Sequence, residues 1–554
     1  MGGCLAFQGL FSQIFAIPKL ELESHSWGGH MPESTDLILE KRGHFWWHGE
    51  KTPKGRFAPP FGVPGILTIR EDGRVRLNVT DSLLRRKFLA MTSLNAALLD
   101  GNPEALKGRS IAGKIDGESR CVYLRNIVHR VLGRSVDGKP SEQFDSDFCL
   151  VGDTATTRSA KSLRFSKLSI SLTGLEQWMS NDSLMVSREK ADGEERSRDV
   201  SYTAAPIEYL LADGKLSLRT DFHCIAFEEI KYREISLRQH EWLEYSRTKA
   251  TTAEALRLEF GHIEEFFAIL TGTYYSLDWP LITRTKGDEV ETYTLYFWRN
   301  MEKSQPPEMS NLWTIFPQMR DIFGTLYSNW RKKRREYGPG FYLYLGALRN
   351  MPMYIEHRFV NLIWGMESLH RGMNPKPAES KSLKRRIQGI LRKAGHLLNS
   401  DERSWLKGQL RNRTEPPLEH RITSTLAGLP WKITKTSLDA FAVRCRIRRN
   451  NISHYGGSED RKEDRGAFLR EIVELTEGLT LLYHGALLQE IGLDEKTLLY
   501  CTKMQIGFRI RRGLELAKLK AEGIKPPEPV DFGPLLKEQR KYVNKWRLRQ
   551  VSKS

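Results

Sequence analysis

The chain has 554 residues, of which 40% are hydrophobic and 28% are charged. This balance excludes a disordered chain, and the length allows two to four domains that each bury a core. The formal net charge is +18, which favours a polyanionic partner, either nucleic acid or an anionic membrane. No apolar run reaches the roughly eighteen residues of a membrane-spanning helix, so we expect no membrane partner.

The start of the chain and its cysteines indicate a cytoplasmic protein. The first residues lack both the basic segment and the small-residue cleavage site of an export signal. The six cysteines are widely scattered and show no CxxC spacing. Reduced thiols in a reducing compartment are therefore expected.

The first half of the chain reads as β-rich. Residues 1–35 are expected to form an extension, and residues 36–240 a domain of short strands. Two alternating runs, Gly65–Arg70 and Arg74–Val79, flank a turn with Gly73, which predicts a hairpin. The spacing favours a sandwich or barrel-like sheet over a βαβ fold. Further strands are predicted at Arg120–Arg125, Lys167–Leu172 and Leu216–Arg219.

The second half shows the longer period of amphipathic helices, beginning near Glu241. The predicted fold class is α+β multidomain, a β-rich N-terminal half followed by an all-α bundle. Residues 241–345 are expected to form a helical connector with a short extended piece near Thr292–Trp298, residues 346–500 the bundle, and residues 501–554 a basic tail. The main helices are predicted at Pro317–Arg335, Tyr354–Arg371, Ser382–Leu398, Ser437–Ser453 and Arg465–Glu490.

Motifs for nucleotide, metal and acyl chemistry are missing from the sequence. There is no GxxxxGK[ST] loop, no GxGxxG that opens a helix after a strand, no HExxH and no GxSxG. His44 and His48 would stand about 13 Å apart on an extended strand, too far to share one ion. Cys445 and His454 would be separated by about 13 Å along one helix, which excludes a catalytic dyad. We therefore expect neither a metal nor a cofactor.

The predicted helix Ser437–Ser453 concentrates positive charge. An apolar stripe of Leu438, Phe441, Cys445 and Ile452 would face the core, and His454 follows close to the end. Like charges on one helix repel, and a polyanion beside them would relieve that cost. The arginines Arg444, Arg446 and Arg448 are therefore candidate RNA ligands, with Arg449 beside them.

Arginine and histidine together suit RNA cleavage without a metal. When the 2′-OH of RNA attacks the adjacent phosphate, the reaction needs a base, an acid and a cation for the charged phosphorane. His454 suits the proton transfers, and Arg449 suits the phosphorane. Five residues apart, they lie about 140° apart on an ideal helix. They converge only if the helix ends or distorts across Asn450–Ser453, or if two protomers face each other and supply two histidines.

Such spacing is not specific by itself. Arg413 and His420 show a similar separation, and Pro416 and Pro417 between them break any shared helix face. An isolated pair of this kind is more often a capping histidine beside an arginine in an ion pair than a reactive site.

The order of several motifs resembles a known family. The run Arg449-Asn450-Asn451-Ile452-Ser453-His454 resembles the R-[polar]-x3-H signature of HEPN ribonucleases. The predicted helix around Glu356–Arg371 resembles the first long helix of the ApeA-like HEPN family. The resemblance covers roughly residues 36–495. Features that resemble the ApeA N-terminal domain are Gly43 with Phe45-Trp46-Trp47, then Val63-Pro64-Gly65-Ile66-Leu67, then Phe165 and Leu175-Glu176-Gln177-Trp178.

The resemblance implies a metal-independent endoribonuclease of the bacterial cytoplasm that acts in antiphage defence by abortive infection. Arg449 and His454 would be catalytic and Asn450 would assist. Glu367 matches a recurrent acid of the first helix, and would either orient Arg449 or form a plain surface ion pair. The N-terminal half would sense infection or restrain the nuclease. Expected partners are RNA such as host tRNA, further copies of the chain in a homodimer or higher oligomer, and a phage-derived trigger.

A second class of function stays open at this point. A non-catalytic HEPN protein that binds RNA or acts as a scaffold would grip phosphates in a salt-dependent way, and His454→Ala would not affect it. The nuclease would instead cut RNA in the presence of EDTA and leave 2′,3′-cyclic phosphate ends. The intact arginine, polar residue and histidine in one motif favour the nuclease.

Overall fold

The structure is a computed structural model that describes residues 37–83, 109–134, 140–152, 163–180, 184–191, 194–202, 206–228, 233–299, 305–349, 353–375, 381–412, 416–456 and 463–523. The predicted extension 1–35 lies outside these residues. The strands are β1 (Leu37–Trp47), β2 (Val63–Arg70), β3 (Val75–Val79), β4 (Ser110–Ile115), β5 (Cys121–Arg134), β6 (Pro140–Gly152), β7 (Phe165–Ser171), β8 (Leu184–Ala191), β9 (Glu194–Tyr202), β10 (Ile207–Leu211), β11 (Gly214–Glu228), β12 (Arg233–Thr251), β13 (Leu281–Lys286) and β14 (Glu289–Phe297). The helices are α1 (Glu176–Met179), α2 (Ala253–Thr271), α3 (Phe316–Met319), α4 (Phe323–Tyr337), α5 (Pro339–Leu348), α6 (Ile355–Met373), α7 (Lys381–Ala394), α8 (Ser400–Asn412), α9 (Leu418–Leu426), α10 (Lys435–Tyr455), α11 (Arg465–Glu490), α12 (Glu495–Cys501) and α13 (Ile506–Leu516).

The N-terminal part of the sheet closes into a six-stranded barrel. The strands are neighbours in the order β6-β3-β2-β1-β4-β5, and β5 pairs back onto β6. Because successive side chains of a strand point to opposite faces, alternate residues such as Phe45 and Trp47 fill the interior. The predicted β2–β3 hairpin is confirmed, with Gly73 at a φ of 77° in its turn.

Strand β6 connects the barrel to an open extension of the sheet. Its first half, Glu142–Ser146, pairs with β3, whereas its second half, Phe148–Gly152, pairs with β14. At the change of partner, the Ser146 hydroxyl donates to the carbonyl oxygens of Arg125 and Phe148, at 2.6 and 2.8 Å. One long strand therefore belongs to both the barrel and the extension of the same sheet. The extension continues in the order β14-β13-β7-β12-β11-β10.

The region 241–345, predicted as a helical connector, contains several helices and also three strands of this sheet. Strand β12 continues to Thr251, and β13 and β14 lie between β7 and β6. The extended piece expected near Thr292–Trp298 corresponds to the second half of β14. Helix α2 is the first long helix, and it buries Phe260 and Phe266 against the sheet. Strands β13 and β14 are short, and the helical apolar pattern around them dominates the sequence, so the prediction assigned the region to helices.

The remaining helices form the predicted bundle, which confirms a β-rich half followed by a helical half. Helix α6 packs against α5, α9 and α11, and α11 has the bounds predicted from the sequence. Part of the predicted basic tail instead belongs to the bundle. Helix α13 buries Ile506, Ile510 and Leu514, and Gly513 lets Leu481 of α11 approach closely. Residues 524–554 of the predicted tail lie outside the described residues.

The open extension of the sheet shares one apolar core with the bundle, and polar contacts also join the two, whereas the barrel interior is a separate core. Asp213, in the turn between β10 and β11, accepts two hydrogen bonds from Arg331 of α4, each 2.9 Å long. These bonds lower the pKa of the Asp213 carboxyl to about 2, so the pair is ionised at neutral pH. Farther along the chain, the rings of Trp313 and His484 of α11 are in contact, with centroids 4.2 Å apart and planes tilted by 37°. The sheet is therefore positioned directly against the bundle.

Candidate active site

Helix α10 carries the predicted site residues and is continuous through them. It runs from Lys435 to Tyr455 and ends at Gly456, whose φ of 68° stops the helix while its N–H donates to the Ile452 carbonyl. The helix neither ends nor distorts across Asn450–Ser453, so that way of bringing Arg449 and His454 together is excluded. Within one chain, the two side chains leave the helix axis about 140° apart.

The arginines of α10 are balanced by carboxylates, with Glu471 of α11 at the centre. Its two oxygens accept hydrogen bonds from the Nε atoms of Arg444 and Arg448, both at 2.7 Å. Arg448 also donates to Glu463 at 2.8 Å. Burial alone would raise the pKa of the Glu471 carboxyl, but the bonds from Arg444 and Arg448 outweigh it and lower the pKa. Glu471 is therefore an anion that holds two cations.

Arg446 has a carboxylate partner as well. Its Nε lies 3.2 Å from the Glu419 carboxylate of α9. The mutual repulsion of the arginines is thus relieved inside the protein, without the polyanion that the sequence suggested for this purpose. Arg444, Arg446 and Arg448 can contact RNA only by sharing or giving up these glutamates. Their role as RNA ligands stays a prediction.

Arg449 differs from its neighbours. Among the described residues it forms no ion pair with a carboxylate, and its Nη1 donates to the side-chain oxygen of Asn450 at 3.2 Å. Its Nε is buried and has no hydrogen-bond partner in the described part of the chain. The side chain as a whole is half-buried, so it does not lie deep in an apolar core. Within the described part of the chain, Arg449 is therefore a guanidinium that contacts Asn450 and has no carboxylate partner.

The role of Glu367, which the resemblance left as either orienting Arg449 or forming a plain surface ion pair, stays a prediction. Glu367 lies half-buried on α6, but no hydrogen bond or ion pair joins it to Arg449 in the described structure. The neighbour that contacts Arg449 is Asn450, the residue predicted to assist. Helix α6 therefore contributes packing here, and the polar contact to Arg449 comes from Asn450 on the same helix as Arg449.

An exposed stripe on α10 was not recognised in the sequence. Val443, Ile447, Asn450 and His454 follow at spacings of four, three and four residues, so they lie within an arc of about 60°. Val443 is 37% exposed and Ile447 41%, and His454 is exposed at the end of the same stripe. The sequence did contain a sign of this stripe, because Val443 and Ile447 are apolar and lie outside the apolar stripe that faces the core. The face that presents His454 thus also presents uncovered apolar side chains.

His44 and His48 make separate contacts in the structure. His44 lies in β1 with its Nδ1 3.2 Å from Asp116, and His48 packs edge-on against Tyr123. No group of three metal-ligating side chains occurs among the described residues. In the same part of the chain, no helix combines the length and the apolarity needed to cross a bilayer.

The carboxylate pairs predict that Arg448 and Arg449 differ in their effects on stability. Arg448→Gln leaves Glu463 and Glu471 short of a charged donor at a site where the arginine is only 14% exposed. We expect a loss of about 1.5–3 kcal/mol in the free energy of unfolding, seen as a lower Tm in scanning calorimetry. The matched variant Arg449→Gln breaks no ion pair and should stay within about 0.5 kcal/mol of the wild type. Equal losses would show that Arg449 is as structural as Arg448.

Comparisons with known proteins agree with this architecture. The family model described as Apea-like HEPN matches residues 360–497, which contain α10 and its arginines. The model described as ApeA N-terminal domain 1 matches residues 40–330, more than half of the chain. No curated protein and no solved structure was found to match. The chain therefore belongs to the ApeA-like family of antiphage HEPN nucleases, with an ApeA N-terminal domain in front of its HEPN domain.

Proposed function

We propose that the protein is a metal-independent endoribonuclease that cleaves RNA through Arg449 and His454. One observation carries the proposal. On a helix whose other clustered arginines are held by glutamates, Arg449 alone among the described members of the cluster has no carboxylate partner. It lies on the same helix as an exposed histidine. A guanidinium without a carboxylate partner, on the same helix as an imidazole, suits RNA, because the RNA phosphate would supply the negative charge that Arg449 lacks.

Each group has a defined task in this proposal. A His454 imidazole accepts the proton of the RNA 2′-OH, and the resulting oxygen attacks the adjacent phosphorus. The Arg449 guanidinium donates hydrogen bonds to the phosphorane oxygens, where negative charge accumulates. A second imidazole returns a proton to the leaving 5′-oxygen. Asn450 holds the Arg449 side chain in place through its amide oxygen.

We further propose that two copies of the chain complete the site. A continuous α10 keeps Arg449 and His454 of one copy about 140° apart, so a second copy is the remaining way to bring both kinds of residue to one phosphate. The exposed stripe with Val443 and Ile447 gives this pairing an apolar surface next to His454. A twofold axis along that stripe would also supply the two imidazoles that the reaction requires.

The substrate and the trigger follow from the family and from charge. We propose host RNA such as tRNA as the substrate, since the chain carries a net charge of +18 and would be attracted to any RNA backbone. The N-terminal half would restrain the nuclease until a phage-derived signal arrives. Its sheet is suited to that task because it shares a core with the bundle and contacts α4 through Asp213.

The first test removes the imidazole. His454→Ala should lower the rate of RNA cleavage by about two to four orders of magnitude, because proton transfer in the transition state is lost. Cleavage by the wild type should persist in EDTA and should leave 2′,3′-cyclic phosphate ends, read by mass spectrometry of the fragments. The matched control is His357→Ala, which removes another exposed histidine on α6.

The same experiment separates the nuclease from a non-catalytic RNA-binding protein. If the wild type binds RNA in a salt-dependent way and never cuts it, and His454→Ala binds equally well, the proposed activity is wrong. Equal losses of cleavage in His454→Ala and His357→Ala would also contradict it, since they would indicate a general effect on the protein.

A second test examines whether two copies share the site. Wild-type chains are mixed with increasing fractions of His454→Ala chains under conditions that allow subunit exchange, and RNA cleavage is measured. If both copies must contribute an imidazole, mixed dimers are inactive, and the activity should fall as the square of the wild-type fraction. A fall in simple proportion to the wild-type fraction would show that each chain forms its own site.

A further inference from the structure

Helices α7 and α8 form a hairpin whose described side chains, from Arg385 to Leu406, are mostly exposed. Within that range only Gly395 is buried, and six other residues are half-buried. A helix in water is stabilised mainly by burying an apolar face, so this part of the hairpin lacks its usual support. The hairpin lies inside the segment matched by the HEPN family model, between α6 and α9. Its exposed faces indicate a surface that something else covers.

Charge is distributed unevenly on this hairpin. Residues 381–394, which form α7, contain six lysines or arginines and no aspartate or glutamate. Among them, Arg385, Arg386, Arg392 and Lys393 are exposed. The helix itself contains no aspartate or glutamate that could offset them, whereas Arg444, Arg446 and Arg448 of α10 are paired with glutamates from outside their helix. The partner of this surface should therefore be anionic.

The same helix carries an apolar face. Ile387, Ile390, Leu391 and Ala394 fall within an arc of about 100°, opposite most of the basic residues. Ile390 is 40% exposed, and the other three are only half-buried. The apolar surface extends beyond α7.

Two large apolar side chains beside this face are even more exposed. Leu397, in the turn that follows α7, is 77% exposed, and Trp405 of α8 is 66% exposed. Apolar area left in water costs about 25 cal/mol per Å², so covering these side chains would be favourable. The surface therefore needs a partner that is apolar as well as anionic.

We propose that the α7–α8 hairpin binds the surface of an anionic lipid bilayer. Acidic headgroups would neutralise the lysines and arginines, while Ile390 and Leu397 enter the boundary between headgroups and acyl chains. RNA would supply phosphates but would leave Ile390 and Leu397 in water. A second copy that met this helix with its own α7 would bring two basic helices together, and their like charges would repel.

This binding does not require a membrane-spanning segment. A helix that lies in the plane of the interface needs an apolar stripe, a basic polar face and flanking tryptophan or leucine, and α7 with its neighbours has all three. The expectation of no membrane partner considered only spanning helices, and it is revised here for the bilayer surface. The inference does not depend on Arg449 or His454, so the lipid and RNA assays can fail independently.

The test is sedimentation of the full-length protein with lipid vesicles. One set is made of phosphatidylcholine alone, and the other also contains phosphatidylglycerol. We expect the protein to sediment with the anionic vesicles only and to be released as salt is raised, because the headgroup attraction is screened. His454→Ala should bind the anionic vesicles as well as the wild type does.

Two variants with matched controls locate the surface. Ile390→Glu should weaken binding to anionic vesicles by at least about tenfold, whereas Leu258→Glu, which changes a 61% exposed residue of α2, should not. Arg392→Glu should weaken binding by about fivefold or more, whereas Lys332→Glu on α4 should not. Ile390 and Arg392 are exposed, so calorimetry should show an unchanged Tm. If Ile390→Glu proves unstable, Arg392→Glu provides the test.

Several outcomes would overturn the proposal. Equal sedimentation with both vesicle types, or none with either, would exclude anionic lipid as the partner. Wild-type binding by both hairpin variants would place the lipid contact elsewhere. If Ile390→Glu and Arg392→Glu instead weaken RNA binding in a gel-shift assay, the hairpin is an RNA surface. If they change the molar mass in solution, it is a contact between copies.

Discussion

The position of the candidate site depends on one carboxylate, Glu471 of α11. By accepting hydrogen bonds from both Arg444 and Arg448, it lets an arginine-rich helix pack against the centre of the bundle. Without such an anion, the clustered cations would repel one another and oppose burial of the apolar side of α10. Glu471, Glu463 and Glu419 form ion pairs with the flanking arginines, whereas Arg449 has no carboxylate partner among the described residues. The presence or absence of a carboxylate partner therefore distinguishes the structural arginines from the one proposed to be reactive.

The second constraint is the continuity of α10. An unbroken helix separates the Cα–Cβ directions of Arg449 and His454 by about 140°. Under the proposal that a second copy completes the site, this geometry links catalysis to assembly. Under the same proposal, any signal that alters how copies pair would alter cleavage. The N-terminal sheet, packed on the bundle through a shared core, is placed to transmit such a signal.

The sequence revealed local features well and long-range ones poorly. The β2–β3 hairpin and the bounds of α11 depend on turn residues and on apolar periodicity, which are local. The closure of the barrel depends on β5 pairing back onto β6, and the junction with the extension depends on β6 changing partner from β3 to β14; no local pattern encodes either. The same holds for the site. Its motif could be recognised in the sequence. Only the folded structure shows that Arg448 pairs with Glu463 and Glu471, and that Glu367 forms no ion pair with Arg449.

The central claim is that RNA supplies its own nucleophile while the protein manages charge and protons. It is tested most directly with an RNA that carries a single 2′-deoxynucleotide at the position of cleavage. The account predicts that the wild-type protein leaves this bond intact, because the attacking hydroxyl is missing, and still cuts the unmodified RNA. Cleavage of the modified bond at an undiminished rate would show that water or another group attacks the phosphate, and the proposed roles of Arg449 and His454 would be wrong.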